Sequence, residues 1–142
     1  MTTIAPPRAV GSDLTTSRLN LMRVGYLVMG VGLAVVKWPL LGGASTLPLY
    51  EGVTLCLLTA MSLLALLGLR HPVRMLPVLL FEALWKLIWL GLVALPRALD
   101  GTVDQAMAQI AVNCSLVVVI IAVIPWRHVW RHYVREPGDP WR

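Results

Sequence analysis

Four long apolar blocks, separated by short polar or turn-forming stretches, organise this chain. They run over about residues 21–41, 51–69, 73–95 and 105–124. Each approaches the roughly 20 residues that a helix needs to cross about 30 Å of hydrocarbon. The pattern predicts an all-α polytopic membrane protein: a four-transmembrane-helix bundle over 21–125. A tail over 1–20 precedes it, and a basic, aromatic segment over 126–142 follows.

The punctuation between blocks refines that picture. Met1 to Asn20 is rich in Thr, Ser and Pro and has no apolar periodicity, so it reads as a disordered tail. It lacks the basic region, apolar core and cleavage site of a removable signal peptide. In the first block the uncharged core Val24 to Val36 is short, so Arg23 and Lys37 are expected to snorkel towards opposite interfaces. Gly30 and Ala34 form a small-xxx-small pair that admits a close neighbour. Trp38-Pro39 predicts the end of that helix and Gly42 to Leu49 a loop. Glu51 opens the second helix, where the dipole favours an acid. Arg70-His71-Pro72 is so short that helices two and three should be antiparallel neighbours. Pro77 predicts a kink early in the third helix and Leu95-Pro96-Arg97 its end. Asp104 is the expected N-cap of the fourth helix, which stops at Pro125-Trp126.

Composition agrees with the blocks. Of 142 residues, 58% are hydrophobic and only 13% charged, with mean hydropathy +0.76. Soluble domains carry about a quarter charged residues. The net charge of +5 does not mark a nucleic-acid binder, because the basic residues lie between apolar blocks and in one tail. With four crossings, both tails and the middle loop share a side. Those segments hold nine of the twelve basic residues: Arg8, Arg18, Arg23, Arg70, Arg74, Arg127, Arg131, Arg135 and Arg142. The positive-inside rule therefore predicts a multi-pass protein of the cell inner membrane with cytoplasmic N- and C-termini. Cys56 and Cys114 lie in apolar runs without a CxxC pair, which predicts inert buried thiols.

The chemistry concentrates in the third block. Glu82 and Lys86 stand four residues apart within the apolar run, straddling its midpoint, in the acid-first order that helical pairs prefer. Trp85 and Trp89 fall on the same side. An ionisable pair at membrane depth is expensive and marks a candidate site. By depth, Asn113, Cys114 and Ser115 of the fourth block and Thr59 and Ser62 of the second join a polar layer, with Asn113 expected to reach Glu82 or Lys86. Three readings follow: an ion pair that only holds the bundle together, a pocket for a lipophilic ligand such as a quinone or lipid, or a proton-coupled carrier in which Glu82 cycles its proton. No HExxH, GxSxG, Walker loop or CxxC supports an enzyme, and no catalytic residue or metal site is assigned.

The C-terminal run Trp126 to Arg135 repeats a four-residue unit. On a helix Trp126, Trp130 and Tyr133 line one face, Arg127, Arg131 and Arg135 another, and His128 with His132 a third. This suits an amphipathic segment lying on anionic lipid. The histidines have metal-compatible spacing but no accompanying acid or thiol, so a solvated pair is expected.

Arg23-Val24-Gly25 through Gly32 and Lys37, Tyr50-Glu51-Gly52, and Leu67-Gly68-Leu69-Arg70-His71-Pro72-Val73-Arg74 resemble the DoxX-like group of small four-helix bacterial membrane proteins. The likeness covers roughly the first half. It implies an accessory role near redox enzymes, since the group includes subunits associated with quinol oxidation or membrane thiol systems. Small multidrug carriers also have four helices but keep an essential glutamate in the first, where this chain has no acid. The expected function is an accessory or lipophilic-ligand-binding membrane component, with a proton-coupled transporter as the alternative. The expected partners are the lipid bilayer and either another membrane protein or a second copy.

Overall fold

The computed structural model describes residues 14–138, and the described elements are helical throughout. Four of them are long and apolar enough to cross a membrane: Thr16–Thr46, Leu49–Arg70, Leu76–Leu99 and Gln105–Val123, termed spans one to four. Most of the expected N-terminal tail (1–13), the last four residues (139–142) and the basic positions Arg8 and Arg142 lie outside the described residues.

Span one begins earlier than its apolar pattern. The Thr15 side chain accepts a hydrogen bond from the Arg18 amide at 3.4 Å, so residues 16–20 form helix rather than an irregular tail. The α-helix of span one ends at Lys37, as Trp38-Pro39 predicts. The chain winds on as a 3-10 helix over Trp38–Thr46, with Pro39 at the junction, where its missing N–H interrupts the α-helical hydrogen-bond ladder. Most of the expected Gly42–Leu49 loop is therefore helical. Trp38 anchors this segment: its indole N–H donates to Ser62 Oγ at 2.9 Å, and that hydroxyl donates to the Thr59 carbonyl at 2.7 Å.

Spans one and two pack closely along a seam of small and aromatic residues. Tyr26 is fully buried and its hydroxyl donates to the Pro72 carbonyl at 2.8 Å. Its ring lies flat on Gly68, where an added Cβ would sit 2.5 Å from Tyr26 Cδ1. One turn away Gly30 meets Leu66, in keeping with the close approach expected there. Arg23 Nε donates to the Leu69 carbonyl at 3.2 Å, so a cation satisfies the C-terminal end of span two.

Span three passes through its second proline. Pro77 lies in the first turn and causes no kink, because the N–H it lacks has no intrahelical acceptor there. Pro96 lies deeper, lacking the N–H that would bond Leu92. The helix widens into a π-turn over Leu90–Ala94, with the Leu95 amide donating to the Leu90 carbonyl, and continues to Leu99. Span four starts at its Asp104 cap, whose Oδ1 accepts from the Met107 amide at 2.7 Å. It is interrupted once, at Leu116.

Met22, Tyr26, Met29, Met61, Ala65, Leu79, Ala83, Ile120 and Val123 form the heart of the buried core. The outer surface is as apolar as the core: Val35 is 69% exposed, Leu92 75% and Val118 67%. Large exposed apolar side chains on this scale are what helices long enough to cross a membrane would present to lipid. Arg18, Arg23, Arg70, Arg74 and Arg127 cluster at one end of the bundle, with Lys37 and Arg97 at the other ends of their spans.

Candidate functional site

Glu82 and Lys86 face inward from span three because their spacing places both on the side that carries Leu79 and Ala83. Lys86 Nζ lies 2.8 Å from Glu82 Oε1, with the Glu82 side chain 1% exposed and that of Lys86 13%. The second oxygen is also occupied: the Trp85 indole N–H donates to Glu82 Oε2 at 2.7 Å. Lys86 Nζ in turn lies 5.7 Å from the Trp85 ring centroid, within cation–π range. One turn of helix thus builds a closed cluster in which the carboxylate has a cation on one oxygen and a donor on the other. No buried side-chain polar atom among the described residues is left unpaired.

Five features differ from the sequence expectation. With span three running Leu76–Leu99, its midpoint falls past Lys86, so the pair occupies the half nearer the basic end rather than straddling the centre. Trp89 is half-buried and takes no part in the cluster. Asn113 does not reach Glu82 or Lys86: it is exposed on the outer face of span four, and its neighbour Cys114, 2% exposed, points inward within electrostatic reach of both. One residue on a helix is about 100° of rotation, so depth alone places Asn113 correctly and direction does not. The wider polar layer does not assemble. Thr59 donates to the Leu55 carbonyl and Ser115 to the Ala111 carbonyl, both at 2.8 Å, while Ser62 belongs to Trp38. Cys56 is exposed rather than buried.

Two cavities lie at the bundle ends, and neither is lined by the cluster. One of about 420 Å³ lies between Leu14 just before span one, Arg18 within it, and Trp126, Arg127, His128 and His132 of the C-terminal segment. The other, about 340 Å³, is lined by Lys37, Tyr50, Glu51 and Thr54 at the opposite end. Leu14, Arg18 and Trp126 lining one cavity places the two described chain ends on the same side of the bundle.

The C-terminal segment is helical over Trp126–Val129 and continues as a π-turn over Trp130–Arg135. Trp126 (48% exposed), Trp130 (58%) and Tyr133 (51%) face outward, as do Arg127, Arg131 and Arg135. The histidines are not a solvated pair: His128 is buried at 7% exposure, and His132 stacks on it with centroids 3.9 Å apart. Their face turns inward with Val129, which packs against the core. His132 Nε2 lies 3.5 Å from Glu136 Oε1. Among the described residues, no three His, Cys, Asp or Glu gather as a metal site.

Set against known proteins, the chain matches no protein-family model, no curated protein and no solved structure.

Proposed function

We propose that this chain is a small integral protein of the bacterial inner membrane, with both termini cytoplasmic, that acts as a non-catalytic accessory component binding a lipophilic ligand at Trp85 and Lys86. Membrane insertion is supported by four apolar helices with apolar exteriors, and the orientation by the basic residues gathered at one end. The observation that carries the ligand reading is the uneven burial of the ion pair. Glu82 is sealed inside, whereas Lys86 keeps 13% of its side chain exposed beside the half-buried Trp85 ring. Glu82 consumes the indole N–H, so Trp85 offers its face and Lys86 its remaining N–H donors. An aromatic face beside an ammonium suits a lipophilic molecule with a carbonyl acceptor, such as a quinone or a lipid ester. The resemblance of residues in the first half to the DoxX-like group would be in keeping with such a role beside redox enzymes.

The test is extraction in native lipid without detergent, followed by mass spectrometry of what stays bound, with wild type beside Glu82→Gln/Lys86→Met. A defined small molecule lost from the variant is the expected result. A stoichiometric protein partner kept by both would retain the accessory role but make the pair structural. Finding neither sinks the proposal.

A purely structural role is the second reading, favoured by the bonding of both Glu82 oxygens within one helical turn. A proton-coupled carrier is the remaining alternative; it would be established by loss of uptake in a folded Glu82→Gln protein.

A further inference from the structure

Polar side chains in a bilayer-spanning helix must find partners, because unsatisfied groups in hydrocarbon cost several kcal/mol each. The hydroxyls of this protein solve the problem locally: Thr54, Thr59 and Ser115 each donate to a backbone carbonyl of the preceding turn. Carboxamides carry donors and an acceptor together and are not satisfied that way. Span four holds three of them, Gln105, Gln109 and Asn113, at i, i+4 and i+8, and all three are exposed.

Their direction is the informative part. Before the interruption at Leu116, the inner face of span four is marked by the buried residues Met107 and Cys114. At about 100° per residue, Gln105, Gln109 and Asn113 fall at about 160°, 200° and 240° from Met107, whereas Cys114 falls at about −20°. Gln105 and Gln109 therefore point away from the bundle and Asn113 to the side, about 100–120° from both buried residues, with exposed Val112 and Leu116 beside the row. It makes no hydrogen bond among the described residues. Gln105 opens the span, where headgroups or water reach it, but Asn113 lies about 12 Å further along the axis, near mid-depth.

We propose that this outer face of span four is the interface with a second copy of the chain, its Gln109 and Asn113 carboxamides hydrogen-bonded across a two-fold axis parallel to the membrane normal. The inference rests on the membrane-spanning reading above. Two copies inserted with the same topology are related by an axis along the normal, so residues of equal depth meet their own counterparts. Such an interface needs side chains that complement themselves. A carboxamide does, since it donates and accepts at once; the Glu82–Lys86 pair on span three does not. Interhelical amide bonds of this kind hold spans together where apolar contact alone gives no driving force.

The experiment uses the full chain in lipid vesicles, with Cys56→Ser and Cys114→Ser as background. Asn113→Cys is expected to cross-link into a dimer, whereas Val35→Cys, exposed on span one, is not. Single-molecule subunit counting at graded protein-to-lipid ratios then compares wild type with Gln109→Leu/Asn113→Leu. The double variant is expected to raise the dimer dissociation constant about tenfold or more, as loss of two membrane hydrogen bonds implies. Asn113→Gln should restore most of the association when made alone. Protein that is membrane-held but monomeric at every ratio, dimers indifferent to both leucines, or a different protein cross-linked at Asn113→Cys would each overturn the interface. Protein released by alkaline carbonate would overturn the spanning reading, and the interface with it.

Discussion

Spans three and four handle polar groups within apolar helices in opposite ways. On span three, Glu82 meets Lys86 and Trp85 within a single turn, and the cluster closes on itself. On span four the three amides are carried to the outside, where the chain offers them nothing. A charge cannot be left for another molecule to satisfy, because burying it uncompensated costs far more than burying an amide. The charges are therefore partnered within the chain, and the neutral amides are available for contacts beyond it. In a membrane protein the presence of a polar residue says little by itself. Its direction relative to the core decides whether it serves the fold or something outside it.

The contrast is broken most sharply at Lys86. Lys86→Met leaves a buried carboxylate without its cation and should destabilise the bundle by about 3–5 kcal/mol, read by steric trapping of unfolding in bicelles. The double change with Glu82→Gln should recover most of that loss, leaving a coupling energy that measures the pair. Recovery of nothing would mean that Lys86 matters for something other than Glu82. Trp85→Phe keeps an aromatic ring, though a smaller one, but removes the donor to Glu82 Oε2, for an expected cost of about 2 kcal/mol in the same assay. Gly68→Ala gives a packing reference of similar size: the new methyl meets the buried Tyr26 ring, and overpacking of this kind costs about 1–3 kcal/mol. The smallest effect on folding belongs to span four. Gln109→Leu/Asn113→Leu should leave unfolding of the single chain within about 0.5 kcal/mol of wild type, since neither side chain touches the core. A large loss there would show that the amides serve the fold after all and would erase the distinction.

Much of the helical layout was legible in the apolar blocks, whose lengths match those of helices able to cross a membrane, and in the Asp104 cap, which needs only local geometry. Prolines misled where position within the helix mattered more than residue type. Pro39 ends the α-helix as expected, but Pro77 falls in a first turn, where the missing N–H is harmless, and Pro96 is absorbed by a wider turn. The Glu82–Lys86 pair was legible because four residues along one helix fix a neighbour without tertiary help. Tyr26 on Gly68 was not: nothing in either block says which face of span one meets which face of span two.

By itself, then, the sequence determined that there are four bilayer-length helices, that their ends carry most of the basic charge on one side, and that Glu82 and Lys86 share a turn. These are properties of period and length, set within single segments. Only the tertiary structure decided which way each polar side chain turns. It sent Asn113 outward and Cys114 inward, buried His128, and gave Ser62 to Trp38. The exterior of this protein is as apolar as its core, so hydrophobicity cannot tell inside from outside. The rotation of each helix is chosen instead by close packing at sites such as Gly25 against Val123 and Gly68 against Tyr26.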